Sequence, residues 1–200
     1  MTFEIKPYAV TDPEVAPLLA ELAHEYYTRY GNSAEINRYP PEEFAPPSGA
    51  LLILRENGAS VAGGAFKRYD EQTAEVKRMW THSSHRRRGL ARLVLAELED
   101  EAKGRGYRRL FLTTGSKQPE AAALYLATGY HSLDTSALNP EGYGLLAFEK
   151  DLQRPPKAAR PAVRYPLFGV QAGGSRSAAM DNRRKNLANN QPSGDTGLDD

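Results

Sequence analysis

The sequence predicts an α/β protein of the α+β kind, a mixed sheet with helices on its faces. Three observations predict it. The apolar period switches repeatedly between two and about 3.6 residues. Three strand-like runs follow one another between residues 50 and 82, parted by turn residues. Beyond them helical and strand patterns alternate, and glycines end the helices. The order is βα, βββ, α, β, α, β.

Taken in order, "FEIKPYAV" alternates apolar and polar residues and reads as a first strand. Asp12 before Pro13 has the form of an N-cap followed by proline at the first helical position. Val15, Leu18, Leu19, Leu22, Ala23 and Tyr26 then keep helical spacing, and Gly31 is the stop. "RYPPEEFAPPSG" holds four prolines and reads as a loop with one helical turn around Glu42–Phe44. "ALLILRENG", "SVAGGAFKRYD" and "AEVKRMWTH" are the three strands; Asn57-Gly58 turns the first pair and Asp70 to Thr73 the second. A helix is predicted over Arg88–Lys103, burying Leu90, Leu93, Val94 and Leu98 and ending in "GRGY". "RRLFLTT" is a strand, "PEAAALYLATGY" a helix capped by Gly129, and "GYGLLAFEKDL" the last strand.

The 200 residues suit one domain with an appendage. Residues 153–200 are rich in Pro, Gly, Ser and Asn without sustained period, and read as a disordered tail on a domain spanning 1–152. Within 1–152, 18 basic side chains face 21 acidic ones, whereas the tail holds 8 against 4. A mildly acidic domain argues against a nucleic-acid partner held by net charge. No apolar run approaches the roughly 20 residues that span a bilayer, so no membrane is expected as a partner. "MTFEIKPYAV" lacks the layout of a signal peptide, and with no cysteine a cytoplasmic location is the simplest expectation. His82 and His85 are three apart but lack an evident third ligand, so no metal is expected.

The run "HRRRGLARL" needs an explanation that a helix start does not supply. The first N–H groups of a helix have no intrahelical acceptor, and the helix dipole adds partial positive charge there. Together they seat a phosphate. Gly89 lets an anion approach the backbone, Leu90 lies in the same turn, and Ala91 keeps that turn uncrowded. Arg86, Arg87 and Arg88 add charges that pair with phosphate oxygens. A pyrophosphate is the expected ligand. Walker and Rossmann loops require residues that are not here.

The spacing Arg86-x-x-Gly89-x-Ala91 resembles the Arg/Gln-x-x-Gly-x-Gly/Ala signature of the GNAT superfamily of N-acetyltransferases, which binds the pyrophosphate of acetyl-CoA. The resemblance covers residues 3–152 in element order, is strongest over 75–130, and excludes the tail. It implies a mostly antiparallel sheet of six to seven strands, splayed at the centre and flanked by about four helices. It also implies acetyl-CoA as co-substrate. The strand Glu75 to His82 would splay from its parallel neighbour and bind the pantetheine arm through the backbone of Met79, Trp80 and Thr81. A backbone N–H there would polarise the thioester carbonyl.

By the same resemblance Tyr125 is the candidate general acid for the departing thiolate. Gln118 takes a position that is often a cofactor-contacting asparagine. Glu75 matches a glutamate that some members use as a base; pairing with a lysine or arginine of the next strand is the alternative. The first helix and following loop, with Tyr26, Tyr27, Arg29 and Tyr30, would wall the acceptor site and suit a small amine carrying a carboxylate. A small-molecule amine is the expected partner, and a homodimer is left open. Acetylation of a protein N-terminus or lysine, and a non-catalytic acyl-CoA-binding module, are the alternative functions.

Overall fold

The computed structural model describes residues 3–135 and 144–152. The expected tail, 153–200, lies outside the described residues. Seven strands form one sheet: β1 (Phe3–Pro7), β2 (Ala50–Glu56), β3 (Ala59–Arg68), β4 (Thr73–Thr81), β5 (Arg109–Gly115), β6 (His131–Leu133) and β7 (Leu145–Asp151). Their order across the sheet is β1-β2-β3-β4-β5-β7-β6. All neighbours run antiparallel except β4 and β5. Three α-helices, α1 (Ala16–Tyr30), α2 (Leu90–Gly104) and α3 (Pro119–Ala127), cover its faces.

Alternation along β2 shows how the faces are divided. Leu52 and Leu54 join the core beneath α2 and α3, while Leu51 and Ile53 join the core beneath α1. Both faces are covered, so β2 is apolar almost throughout. Asn57 and Gly58 both have positive φ, 50° and 88°, as the tight turn between twisted strands requires. Asp70 closes the next turn by accepting from the Gln72 and Thr73 N–H groups. The last two helices end alike: Tyr107 N–H donates to Ala102 and Tyr130 N–H to Tyr125, each following a left-handed glycine, Gly106 or Gly129.

Several expectations shift. The second helix begins at Leu90 rather than Arg88, because Arg87 and Gly89 are left-handed (φ 63° and 79°) and cannot continue a right-handed helix. Leu93 is 48% exposed, and Leu95 takes its place in the core. At 3.6 residues per turn Leu93 falls about 120° from the centre of the stripe of Leu90, Val94, Leu98 and Ala102. Asp12 does not cap through its side chain, which accepts from the Ala9 N–H at 2.7 Å; a 3-10 turn, Pro13–Val15, intervenes before α1. There are three α-helices among the described residues rather than about four, since the proline-rich stretch after α1 forms only 3-10 turns, Ala34–Asn37 and Pro41–Phe44. Strand β6, three residues long, was too short to read. No described helix is long and apolar enough to cross a membrane.

Two irregularities shape the middle of the sheet. β4 pairs with β5 only at Thr73–Arg109, Ala74–Leu110 and Glu75–Phe111, and then the two strands part. β4 also carries a bulge against β3. Gly63 faces Trp80 and Ala65 faces Lys77, so Arg78 and Met79 together oppose Gly64. Arg78 takes φ 56° to make it.

Candidate active site

Beyond Glu75, the edge of β4 turned toward β5 has no strand partner, while β5 pairs on its other side with β7 over its whole length. The sheet therefore opens into a wedge whose β4 wall presents unpaired backbone groups. That suits an extended ligand added as a strand. The side chains of Met79 and Trp80 are engaged elsewhere: Met79 packs under α2, and Trp80 is buried beneath α1 with its Nε1 donating to Glu21 at 2.9 Å. Thr81 ends the strand, and its carbonyl accepts from Arg86 Nε at 3.3 Å. The backbone of this segment is what the strand edge offers to a ligand.

The wedge ends at the start of α2. Gly89 is the N-cap, no side chain caps the helix, and a Cβ built on Gly89 meets nothing within 4 Å. The N–H groups of Leu90 and Ala91 stand in the first turn, where the helix has no acceptor for them. An open, uncapped, exposed helix start beside a bare strand edge fits a phosphate-bearing cofactor.

The three arginines are not equivalent. Arg88 gives both its Nη atoms to the Glu56 carboxylate, at 2.8 and 2.6 Å. Arg86 reaches Glu25 at 2.9 Å. Arg87 is exposed, on its left-handed backbone. Glu25 also pairs with Arg29 at 3.1 Å and accepts from Gln118 Nε2 at 3.4 Å. Gln118 Oε1 accepts from Thr114 Oγ1 at 3.1 Å and Tyr30 Oη at 3.5 Å. Arg29 reaches on to Glu120 and the Lys117 carbonyl. The result is a polar clasp from α1 to the start of α3 at the wide end of the wedge.

Tyr125 is buried in α3, its ring 5.7 Å from those of Tyr130 and Phe148. Burial drives its phenol well above the ordinary tyrosine range, with smaller influences from Tyr26 and Lys77. Its ring belongs to the core beneath α2 and α3, on the side of β5 where α3 begins. The phenol stays protonated over any working pH.

On the α1 side lies a narrow cleft lined by Tyr26, Glu35, Ile36, Tyr39, Phe44, Lys77 and Arg78. The bulge creates it, since it turns Lys77 and Arg78, neighbours in sequence, to the same face. Lys77 Nζ lies 3.0 Å from Glu35 and 3.1 Å from Glu75. Burial alone would lower this lysine, but the two carboxylates raise it above its ordinary value. Glu75 is 1% exposed; Lys67, its partner on β3, approaches it to 3.8 Å and pairs more closely with Glu43 at 2.8 Å. Glu75 Oε2, the oxygen on the Lys67 side, has no hydrogen-bond partner. Of the four expected acceptor-wall residues Tyr26 lines the cleft; Tyr27 is 66% exposed, and Arg29 and Tyr30 belong to the clasp.

Sequence reasoning passed over Lys77, Arg78, Glu35, Tyr39, Glu25 and Glu56. One signal was present in "EVKRMW", where two successive cations break the alternation of a strand between apolar neighbours. His82 caps a 3-10 turn through Nδ1, which accepts from the Ser84 N–H at 3.2 Å.

Comparison with known proteins agrees with this geometry. An N-acetyltransferase of Bacillus subtilis, YsnE, whose role is uncharacterized, is 43% identical over 76 residues, covering 36% of this chain and 50% of its own. The IAA acetyltransferase of Azospirillum brasilense is 33% identical over 102 residues, covering 50% and 65%. The chain thus spans half to two thirds of the length of these relatives. A solved structure described as an acyl-CoA N-acyltransferase, from Klebsiella pneumoniae, superposes with a TM-score of 0.62 at 30% identity, over 76% of this chain and 98% of that one. A GNAT acetyltransferase of Elizabethkingia anophelis with acetyl-CoA bound shares the fold at a TM-score of 0.55 and 18% identity, over 74% and 97%. The acetyltransferase (GNAT) family profile matches residues 16–130, from the first helix through the turn after the third, and the chain belongs to that family.

Proposed function

We propose that this protein is an acetyl-CoA-dependent N-acetyltransferase that acts on a primary amine of a small molecule in the cytoplasm. One observation carries the reading: the unpaired edge of β4 runs directly to the uncapped start of α2, so a single extended cofactor can occupy both. The cofactor supplies a thioester-activated acetyl group. Leu90 and Ala91 N–H, with Gly89 making room, hold its pyrophosphate, and Arg87 adds charge at the rim. The β4 backbone at Met79, Trp80 and Thr81 aligns the arm and, through an N–H, polarises the carbonyl. The acceptor nitrogen would enter from the α1 side as the free amine and form the C–N bond as the C–S bond breaks, releasing its surplus proton to solvent to leave the neutral amide. Tyr125 Oη gives a proton to the sulfur and recovers one from solvent. Glu75, held between two lysines, positions Lys77 rather than taking the amine's proton.

A narrow acceptor cleft walled by residues 34–44, rather than an open groove, favours a small acceptor over a protein chain. The mildly acidic domain favours no nucleic-acid partner. Calorimetry with acetyl-CoA and a thiol-release screen over amine acceptors test the reading. Micromolar binding with acceptor-dependent thiol release is expected. Absence of acetyl-CoA binding overturns it.

A further inference from the structure

Among the described residues, the cleft beneath α1 gathers one more cation than carboxylate. Four cations converge there, Lys67, Lys77, Arg38 and Arg78, and three carboxylates answer them, Glu35, Glu43 and Glu75. Both Glu35 oxygens are used, one by Lys77 and one by Arg38 at 2.9 Å. Arg78 is the cation left over. It is 8% exposed, its Nη2 donates to the Ile36 carbonyl at 2.9 Å, and its guanidinium lies 4.1 Å from the centre of the Phe44 ring. Its Nη1 is buried with no hydrogen-bond partner. Burial depresses this guanidinium below its ordinary value, with Tyr26 and Glu35 acting at a distance in the opposite sense. The Tyr39 hydroxyl is likewise buried without a partner, and Tyr39, whose ring meets that of Phe44 edge-on, also lines the cleft.

A fold keeps an unanswered buried guanidinium N–H only at a cost, because an unmade hydrogen bond to a buried charge is expensive. We infer that the missing group is the carboxylate of the acceptor, which Arg78 Nη1 and Tyr39 Oη bind, so that the acceptor is a small aminocarboxylate. The proposal rests on the acetyltransferase reading above and adds the substrate class to it. Position supports it. Arg78 directly precedes Met79, whose backbone belongs to the segment assigned to the thioester. A carboxylate on Arg78 therefore leaves the amine of a compact amino acid near the carbonyl. Charge supports it too, since surplus positive charge in the cleft repels polyamines and accepts a zwitterion. The bulge gives the arrangement its purpose: without the extra residue Arg78 would point into the core beneath α2.

The test uses the full chain and a panel of α-amino and aryl aminocarboxylic acids, each beside its carboxamide and its decarboxylated amine, with thiol release as readout. Hydrogen bonds to a charged, buried partner predict that acids exceed their amides by on the order of 10- to 100-fold in kcat/KM. In Arg78→Gln that preference should collapse while the KM for acetyl-CoA stays unchanged; Arg78→Lys, which keeps the charge, should restore part of it. The acid–amide comparison on the natural chain stands even if a variant fails to fold. Equal rates for acids and amides overturn the proposal and leave the acetyltransferase reading intact, as does turnover confined to decarboxylated amines. Failure of the chain to bind acetyl-CoA overturns both.

Discussion

Glu56, the last residue of β2, holds Arg88 through both guanidinium Nη atoms, at 2.8 and 2.6 Å. The arginine that directly precedes the phosphate seat is thereby tied to the sheet, and the hydrogen bonds from Arg88 keep the Glu56 carboxyl below the usual carboxylate range. Arg88→Ala should therefore act on the fold and Arg87→Ala on the cofactor. Calorimetry should show acetyl-CoA affinity falling about 10-fold in Arg87→Ala, as for one lost charge-assisted contact, and less than about 3-fold in Arg88→Ala. The pH dependence has a defined sign. A depressed carboxylate adds stability above its unfolded value and loses it as pH falls through the folded one. Thermal melts from pH 7 down to pH 3 should converge for the natural chain and Arg88→Ala.

Gly89 combines a φ of 79° with empty space around its Cβ position. Any side chain there meets backbone strain of about 1–2 kcal/mol but no clash with the protein itself. What it would meet is the pyrophosphate. Gly89→Leu should thus weaken acetyl-CoA binding by more than its strain alone explains. Chemical denaturation and calorimetry on one sample separate the two effects. An affinity loss no larger than the stability loss would remove the phosphate seat from this position.

The element order, the hairpin turns and the helix ends were legible because they are written in local chemistry, whereas the wedge was legible only through the family resemblance. Asn57-Gly58 can hardly do anything but turn, and Gly106 and Gly129 end helices for the same conformational reason. The arginine–glycine run announced an anion seat because a helix start and a positive charge act over one or two turns of chain. What was not legible depends on pairs far apart in sequence. Nothing in "RENG" tells that Glu56 will meet Arg88, and nothing in "SAEIN" tells that Glu35 will meet Lys77. The bulge left a trace, two cations in succession, but its effect on the direction of Arg78 follows only once β3 is laid beside β4. Leu93 failed for a simpler reason: a leucine satisfies the helical period within one residue's error, and the true stripe passes through Leu95.

Gly63, opposite Trp80, shows how little room the wall of the wedge has. A Cβ there would lie 2.7 Å from both Ile53 Cδ1 and Leu18 Cδ1 and 2.9 Å from the Leu52 carbonyl. The carbonyl belongs to the sheet and cannot move aside alone. Gly63→Ala should cost about 1–3 kcal/mol in denaturant unfolding, as overpacking does. Because Trp80 lies directly across, its fluorescence should report the displacement in the folded state as well. Unchanged stability would mean that α1 rides further from the sheet than it does here.

Tyr125 offers the sharpest separation of chemistry from packing. Its ring fills a space between Tyr130 and Phe148, and Phe fills the same space. Tyr125→Phe should therefore unfold within about 0.5 kcal/mol of the natural chain, as changes outside the major destabilising mechanisms do. Where sulfur protonation limits the rate, kcat should fall on the order of 100-fold with the acetyl-CoA Kd unchanged, the signature of a group that acts only in the transition state. Since burial lifts this phenol above the ordinary tyrosine value, its loss should not alter the acid or neutral limb of the pH–rate profile, only the height. A natural chain whose rate declines between pH 8 and 10, with the decline absent in Tyr125→Phe, would show that the hydroxyl titrates as though exposed to water. An unaltered kcat would return Tyr125 to the core, leaving the thiolate to take its proton from solvent.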